Sequence, residues 1–269
     1  MNASFDYILQ VNAIRQEILK SHPERPPPSW VRITTITMCS KFLQEIDLKK
    51  FRENFTKLGS VTVRRQGSRF RGFEWKMKDT AFYNQVTIGY EDQYSRKSIK
   101  IFPNGSIQVA GCSDLFDCRR ILRQLSFILK VVLELESDAP VDCASVKMIN
   151  TNFSLNSSVN LNKIIHKFSQ MNGVKVTFDP DRYSAVKLKF TPKPEQKQVT
   201  ASIFSTGKII VTGAQTLEEI AGAYELINKT IDASILVKPV AEPELFETIM
   251  GARFEEWVRV LDKTAANKM

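Results

Sequence analysis

The chain has 269 residues, enough for one large domain or two fused ones, each with its own apolar core. Hydrophobic residues make up 43% and charged residues 25%, ordinary shares for a globular protein, and no stretch approaches the ~18 uncharged apolar residues that span a bilayer. The charge balance is less ordinary: 38 Lys and Arg against 29 Asp and Glu give +9, which draws a protein to polyanions, of which nucleic acid is the commonest.

Residues 1–30 read as a helix followed by a connector stiffened by Pro26-Pro27-Pro28. Asp6 precedes the apolar part of that helix and no basic start is present, so no secretory signal is expected. A strand-and-helix unit then spans 31–137. Its elements are an opening strand, a short helix (IDLKKFRENF, 46–55), strands at 82–90 (FYNQVTIGY) and 99–112 (IKIFPNGSIQVAGC), and a long helix with Leu115, Leu122, Leu125, Leu129 and Val132 at helical spacing. Between helix and strands lies a basic insertion at 61–78, with Arg64, Arg65, Arg69, Arg71, Lys76 and Lys78 against Glu74 alone, which reads either as a solvated surface hairpin or as an added phosphate contact.

The same unit recurs over 138–233. Its short helix is VNLNKIIHKF (159–168), its strands RYSAVKLKF (182–190) and ASIFSTGKIIVTGA (201–214). Its long helix carries Leu217, Ile220, Tyr224, Ile227 and Ile231 behind a Thr216-x-x-Glu219 capping box. Tyr83 matches Tyr183 and Val86 matches Val186, so the duplication implies a pseudo-twofold pair of units. Residues 234–269 add a predicted helix, FETIMGARFEEWVRVLDK.

Strand alternation separates a core face from an open one. Ile99, Ile101, Ile107 and Val109 point inward in the first copy, with Lys100, Phe102, Gln108 and Ala110 opposite. In the second copy Val186, Leu188, Phe190, Ala201, Ile203, Ile209 and Val211 point inward. Tyr183, Ala185, Lys187, Lys189, Thr200, Ser202, Phe204, Ile210 and Thr212 point outward. Each open face therefore carries two aromatics, Tyr83 with Phe102 and Tyr183 with Phe204, among Lys, Thr, Ser and Gln, and no acid is expected in its strands. His166 falls on the wet side of its helix. The four cysteines form no CxxC pair and the histidines are only His22 and His166, which argues for a reducing compartment and against a zinc site.

FDPDRYSAV and SIFSTGKIIVTGA in the second copy, and FPNGSIQVAG in the first, resemble the TATA-box-binding protein family, whose repeats carry an IFxSGK…VxTGA hairpin and an NPxRFxAV strand. The length and divergence resemble most the TATA-binding-protein-like proteins of large nucleocytoplasmic DNA viruses. The resemblance implies an α+β fold: two tandem repeats forming one curved antiparallel saddle, with helices on the convex face and helical extensions at both ends. It implies a transcription initiation factor that clamps and bends A·T-rich promoter DNA through the minor groove. Tyr83, Phe102, Tyr183 and Phe204 would be the wedges. Thr35, Thr37, Cys39, Gln108, Ala110, Met148, Asn150, Asn152, Ile210 and Thr212 would meet the groove floor. Arg182, Lys187, Lys189 and Lys208 would contact phosphates, and Asp179 and Asp181 a B-type general transcription factor. A multisubunit RNA polymerase is the further expected partner; no cofactor, metal, membrane or small-molecule substrate is expected. The expected location is intracellular, in the host nucleus or a cytoplasmic virus factory. Thr35 and Met148 stand where the family has its two central asparagines, which puts a TATA preference in doubt. An enzyme is disfavoured because no carboxylate cluster, nucleophile or histidine gathers in one place. The alternative is a saddle-fold interaction scaffold in a viral transcription complex that has lost sequence-specific DNA binding.

Overall fold

The computed structural model describes residues 3–42, 45–59, 61–63, 73–79, 84–92, 95–112, 115–137 and 145–240. A helix, α1 (Ala3–Ser21), precedes two similar runs of elements that differ by one short strand each, β2 in the first and β8 in the second. The first is β1 (Arg32–Lys41), α2 (Leu48–Leu58), β2 (Val61–Val63), β3 (Phe73–Lys78), β4 (Val86–Asp92), β5 (Arg96–Ile101), β6 (Ser106–Cys112) and α3 (Leu115–Leu133). The second is β7 (Ser145–Ser154), β8 (Ser157–Val159), α4 (Leu161–Ser169), β9 (Lys175–Asp179), β10 (Tyr183–Phe190), β11 (Val199–Ile203), β12 (Lys208–Ala214) and α5 (Leu217–Thr230), followed by β13 (Leu236–Pro239). The fold is α+β, built on two repeats, as the sequence implies. Two compact units result: Ile33–Ile149, and the described residues up to Arg32 together with those from Asn150 onward.

In the unit Ile33–Ile149 the strands lie in the order β2-β3-β4-β5-β6-β1, antiparallel throughout. Asp47 starts α2 by accepting from the backbone N–H groups of Lys49 and Lys50, which satisfies two of the donors a helix start leaves open. Phe51 and Phe55, one turn apart, are buried with rings 5.6 Å apart. From α3, Leu122, Leu125, Leu129 and Val132 cover Ile88, Ile99, Ile101, Ile107 and Val109 of the sheet, all of them buried.

Residues 61–78, expected as one basic insertion, divide differently. Trp75 is fully buried, its ring edge-on to Tyr90 at 5.1 Å, so β3 is an integral strand standing where β9 stands in the other unit. Burying an indole outweighs the charge around it, and the two-residue period sends Lys76 and Lys78 to the opposite face. The added element is β2; Arg64, Arg65, Arg69 and Arg71 lie outside the described residues. At the α3 end of this sheet Lys97 is 3% exposed. Its ammonium pairs with Asp117 at 2.9 Å and donates to Ser95. Arg120 donates to Asp117 (2.8 Å), Asp92 (3.0 Å) and the Tyr90 hydroxyl (2.7 Å). Buried charges persist only when matched in this way. Burial pushes the Tyr90 phenol up to about 12.

The second unit orders its strands β7-β12-β11-β10-β9, with β13 pairing separately on β8. The capping box forms: Thr216 accepts from the Glu219 N–H at 3.1 Å while Glu219 accepts from the Thr216 N–H. Ile220, Tyr224 and Ile227 bury the inner face of α5. Gly207, at φ +79, closes the β11–β12 turn; a Cβ there would lie 1.9 Å from the Ser157 carbonyl oxygen, so no other residue fits. The N-terminal segment is part of this unit. α1 packs on α5, burying Val11, Ile14 and Ile18. The Arg25 guanidinium is buried and donates to the carbonyls of Asn228 (2.8 Å) and Ile231 (2.9 Å) and to Asn228 Oδ1 (3.0 Å), where a cation complements the helix end. The predicted helix at 246–263 lies outside the described residues.

Candidate nucleic-acid interface

Strand register gives each sheet a face away from its helices. In the second unit Thr177, Lys187, Ser202 and Ile210 form one cross-strand row, and Lys175, Lys189, Thr200 and Thr212 the next. The alternate rows, Val186–Ile203–Ile209 and Leu188–Ala201–Val211, are buried beneath the helices. At one end of the open face the rings of Tyr183 and Phe204 meet edge to face at 5.7 Å and 67°. Tyr183 is 37% exposed, and Lys187 holds its ammonium 4.5 Å from the Tyr183 ring centre. That contact suits the negative face of an aromatic ring and leaves the other ammonium protons to a further partner.

Lys208 begins β12 beside Phe204, whose N–H donates to the Lys208 carbonyl at 3.0 Å. Lys187, Lys189, Lys208 and Arg182 are all exposed. Asp179 and Asp181 are exposed in the turn that the Arg182 N–H closes on the Asp179 carbonyl at 3.2 Å. Ala185, expected outward, is buried. The β9–β10 register slips between Tyr183 and Lys187, so Ala185 and Val186 both turn inward. Along β7, Ile149, Thr151 and Phe153 are buried while Met148, Asn150 and Asn152 alternate with them, half-buried.

In the first unit Cys39, Gln108, Lys100, Thr87 and Lys78 share one open row, and Thr37, Ala110, Ser98, Gly89 and Lys76 the next. Cys39, Gln108, Ala110 and Thr35 are half-buried, whereas Thr37 is only 3% exposed and presents little surface. Phe102 is half-buried, its N–H donating to the Ser106 carbonyl at 2.9 Å. Tyr83 lies outside the described residues. A third row contradicts the expectation of an acid-free face: Glu74 pairs with Glu91, and Glu91 with Arg96. These acids sit at the strand ends farthest from Phe102. Glu91 is neutralised by Arg96 at 3.0 Å, which makes a carboxylate tolerable there. The sequence places Lys100 on the open face but treats Lys76 and Lys78 only as part of a basic insertion, and the register seats both of them in the open rows. Counting alternate positions from Trp75 would have placed them there.

Among the described residues no group of three or more His, Cys, Asp and Glu side chains is placed to hold a metal ion, and Cys39, Cys112 and Cys118 are free thiols. No described helix is long and apolar enough to cross a membrane.

Residues 144–233 match the family model described as "Transcription factor TFIID (or TATA-binding protein, TBP)". The TATA-box-binding protein-like protein of Acanthamoeba polyphaga mimivirus is 28% identical over 239 residues, covering 75% of this chain; the chain in turn spans 65% of that protein's length. The TATA-box-binding protein of Thermoplasma acidophilum is 22% identical over 143 residues, 53% of this chain and 72% of that protein. Among solved structures, Methanococcus jannaschii TBP superposes with a TM-score of 0.51 at 15% identity, over 75% of this chain and 98% of the archaeal one, a likeness of fold.

Proposed function

We propose that this chain, TBP-like by the resemblance just described, is a DNA-binding transcription initiation factor that grips duplex DNA through the open strand faces of its two repeats. The observation that carries this is the second unit's open face, where lysines flank small polar groups and end in the Tyr183–Phe204 pair. Such a surface suits the minor groove, whose floor offers mainly acceptors and, at A·T pairs, no guanine amino group. Phe204 and Tyr183 are the wedge of the second repeat, and Phe102 that of the first. Inserting a ring costs a few kcal/mol of unstacking, which the contact area gained on bent DNA offsets. Arg182, Lys187, Lys189 and Lys208 fix the register through phosphates, and these contacts carry no sequence information themselves.

Met148 cannot donate a hydrogen bond where Thr35 can, so the two half-sites are read unequally and a sharp TATA consensus is not required. Asp179 and Asp181, exposed beyond the wedge pair, are the proposed contact for a B-type general transcription factor, within assemblies that recruit a multisubunit RNA polymerase. Retention on duplex DNA at physiological salt, with elution as salt rises, is the test. Several phosphate contacts should make log affinity fall against log salt with a slope of about 0.9 per contact. Flow-through at low salt would refute DNA binding and favour the interaction scaffold.

A further inference from the structure

The two cross-strand rows traced on each open face carry Lys76, Lys78 and Lys100 in the first repeat and Lys175, Lys187 and Lys189 in the second, at positions that do not correspond. Val86 pairs with Ile101 as Val186 pairs with Ile203, which fixes the equivalence of the repeats through register. Three residues on, Gly89 pairs with Ser98 as Lys189 pairs with Thr200, so Gly89 occupies the place of Lys189. By the same frame Thr87 occupies the place of Lys187, and Lys78, paired with Thr87, occupies the place of Thr177, paired with Lys187. The lysines that β10 contributes are thus missing from β4.

Lys78 answers this gap. A Cβ built on Gly89 would lie 2.7 Å from Cε and 3.6 Å from Nζ of Lys78. The Lys78 side chain therefore crosses from β3 onto β4 and lies in the space that any larger residue at 89 would fill. Gly89 weakens a strand interior relative to other residues and carries no positive φ that would require it. Close approach of the Lys78 side chain is what this glycine allows. The ammonium is brought over the site where the other repeat has Lys189.

We propose that Lys78, seated across Gly89, is a DNA-phosphate contact equivalent to Lys189, supplied to the first repeat from the neighbouring strand. This rests on the DNA-binding reading above. A point cation suits a phosphate oxygen and needs no fixed geometry beyond reach, which a lysine lying across one strand retains. Gly89 is then a positioning residue: it touches no DNA and acts only through where it lets Lys78 lie.

The test is the salt dependence of binding to a mixed-sequence duplex for the wild-type chain, Lys78→Gln, Lys189→Gln, Gly89→Val and the double variant Lys78→Gln/Gly89→Lys. Lys78→Gln and Lys189→Gln should each flatten the slope of log affinity against log salt by about 0.9. That corresponds to roughly threefold less loss of affinity between about 50 and 200 mM salt. Gly89→Val keeps every charge; the atom closer than ordinary contact to its Cβ is the flexible Cε of Lys78, while the Lys76 carbonyl oxygen lies at 3.6 Å, so the sheet should fold while the slope flattens as in Lys78→Gln. The double variant should restore the wild-type slope by returning a cation to β4. A wild-type slope in both Lys78→Gln and Gly89→Val, alongside a flattened one in Lys189→Gln, would overturn the role of Lys78 and leave DNA binding standing. Absence of salt-dependent binding by the wild-type chain would instead overturn the DNA-binding reading, and this inference with it.

Discussion

Two adjacent residues, Ile203 and Phe204, should respond to truncation in opposite ways. Ile203 is fully buried, between Val186 and Ile209 in the cross-strand row beneath α5. Ile203→Ala removes three carbons from a site closed on all sides, so it should cost about 2–5 kcal/mol of stability. Phe204 is half-buried on the open face, and the contact it loses is the edge-to-face pair with Tyr183 at 5.7 Å. Such a pair contributes about 0.5–1.5 kcal/mol, and no sealed cavity is left behind. Against a typical total of about 5–15 kcal/mol, the first change is large and the second tolerable. Urea unfolding followed by tryptophan fluorescence gives both values from shifts in midpoint at constant slope. Duplex binding by the folded variants supplies the other half. Phe204→Ala should lose roughly tenfold in affinity, about 1.4 kcal/mol, and Ile203→Ala very little wherever it is folded. A Phe204→Ala chain that is less stable than Ile203→Ala, or that binds DNA unchanged, would mean the faces are assigned the wrong way round.

Three further outcomes follow from buried and capped charges. Arg25→Met should lower stability by about 2–3 kcal/mol, because the Asn228 and Ile231 carbonyls lose a charged donor; an unchanged denaturation midpoint would show that the N-terminal segment contributes nothing to the second unit. Asp117→Asn should cost about 3–5 kcal/mol by leaving the Lys97 ammonium buried without its carboxylate, and Lys97→Met added to it should recover most of that loss; failure to recover would exclude stranded charge as the cause. Hydrogen bonding by Ser234 and the ion pair with Lys167 hold the Asp232 carboxyl at about 2, below its ordinary 3.8. A lowered folded-state value stabilises the fold above pH ~4 and is lost as pH falls towards 2, so Asp232→Asn should flatten the acid limb of the stability profile; superimposable acid limbs would contradict it.

Some features were legible because local chemistry determined them. The inward Ile203 and outward Phe204 follow from alternation on either side of a turn that only Gly207 permits. The α5 start follows from Thr216 and Glu219, whose capping box needs nothing beyond four residues. Other features depend on distant partners or on breaks in period. Trp75 was hidden because basic residues surround it, and only its partner Tyr90 shows that β3 is core. Ala185 escaped because a register slip is not written in a two-residue period. Arg25 reads as one more exposed cation until Asn228, far along the chain, is seen to receive it. Lys78 on Gly89 belongs to the same class: both residues were in view, but their proximity across two strands was not.

Minor-groove reading is the central claim, and base-pair substitution tests it most directly. An I·C pair offers the minor groove of A·T, without the guanine amino group, while keeping much of the G·C pattern in the major groove. Affinity should be compared on three duplexes that share flanks and carry A·T, I·C or G·C pairs in the bound segment, itself chosen by selection from a random pool. Minor-groove clamping predicts that the I·C duplex binds within about threefold of the A·T duplex and that the G·C duplex binds at least about tenfold more weakly. An I·C duplex as weak as the G·C one would place the reading in the major groove and contradict the account.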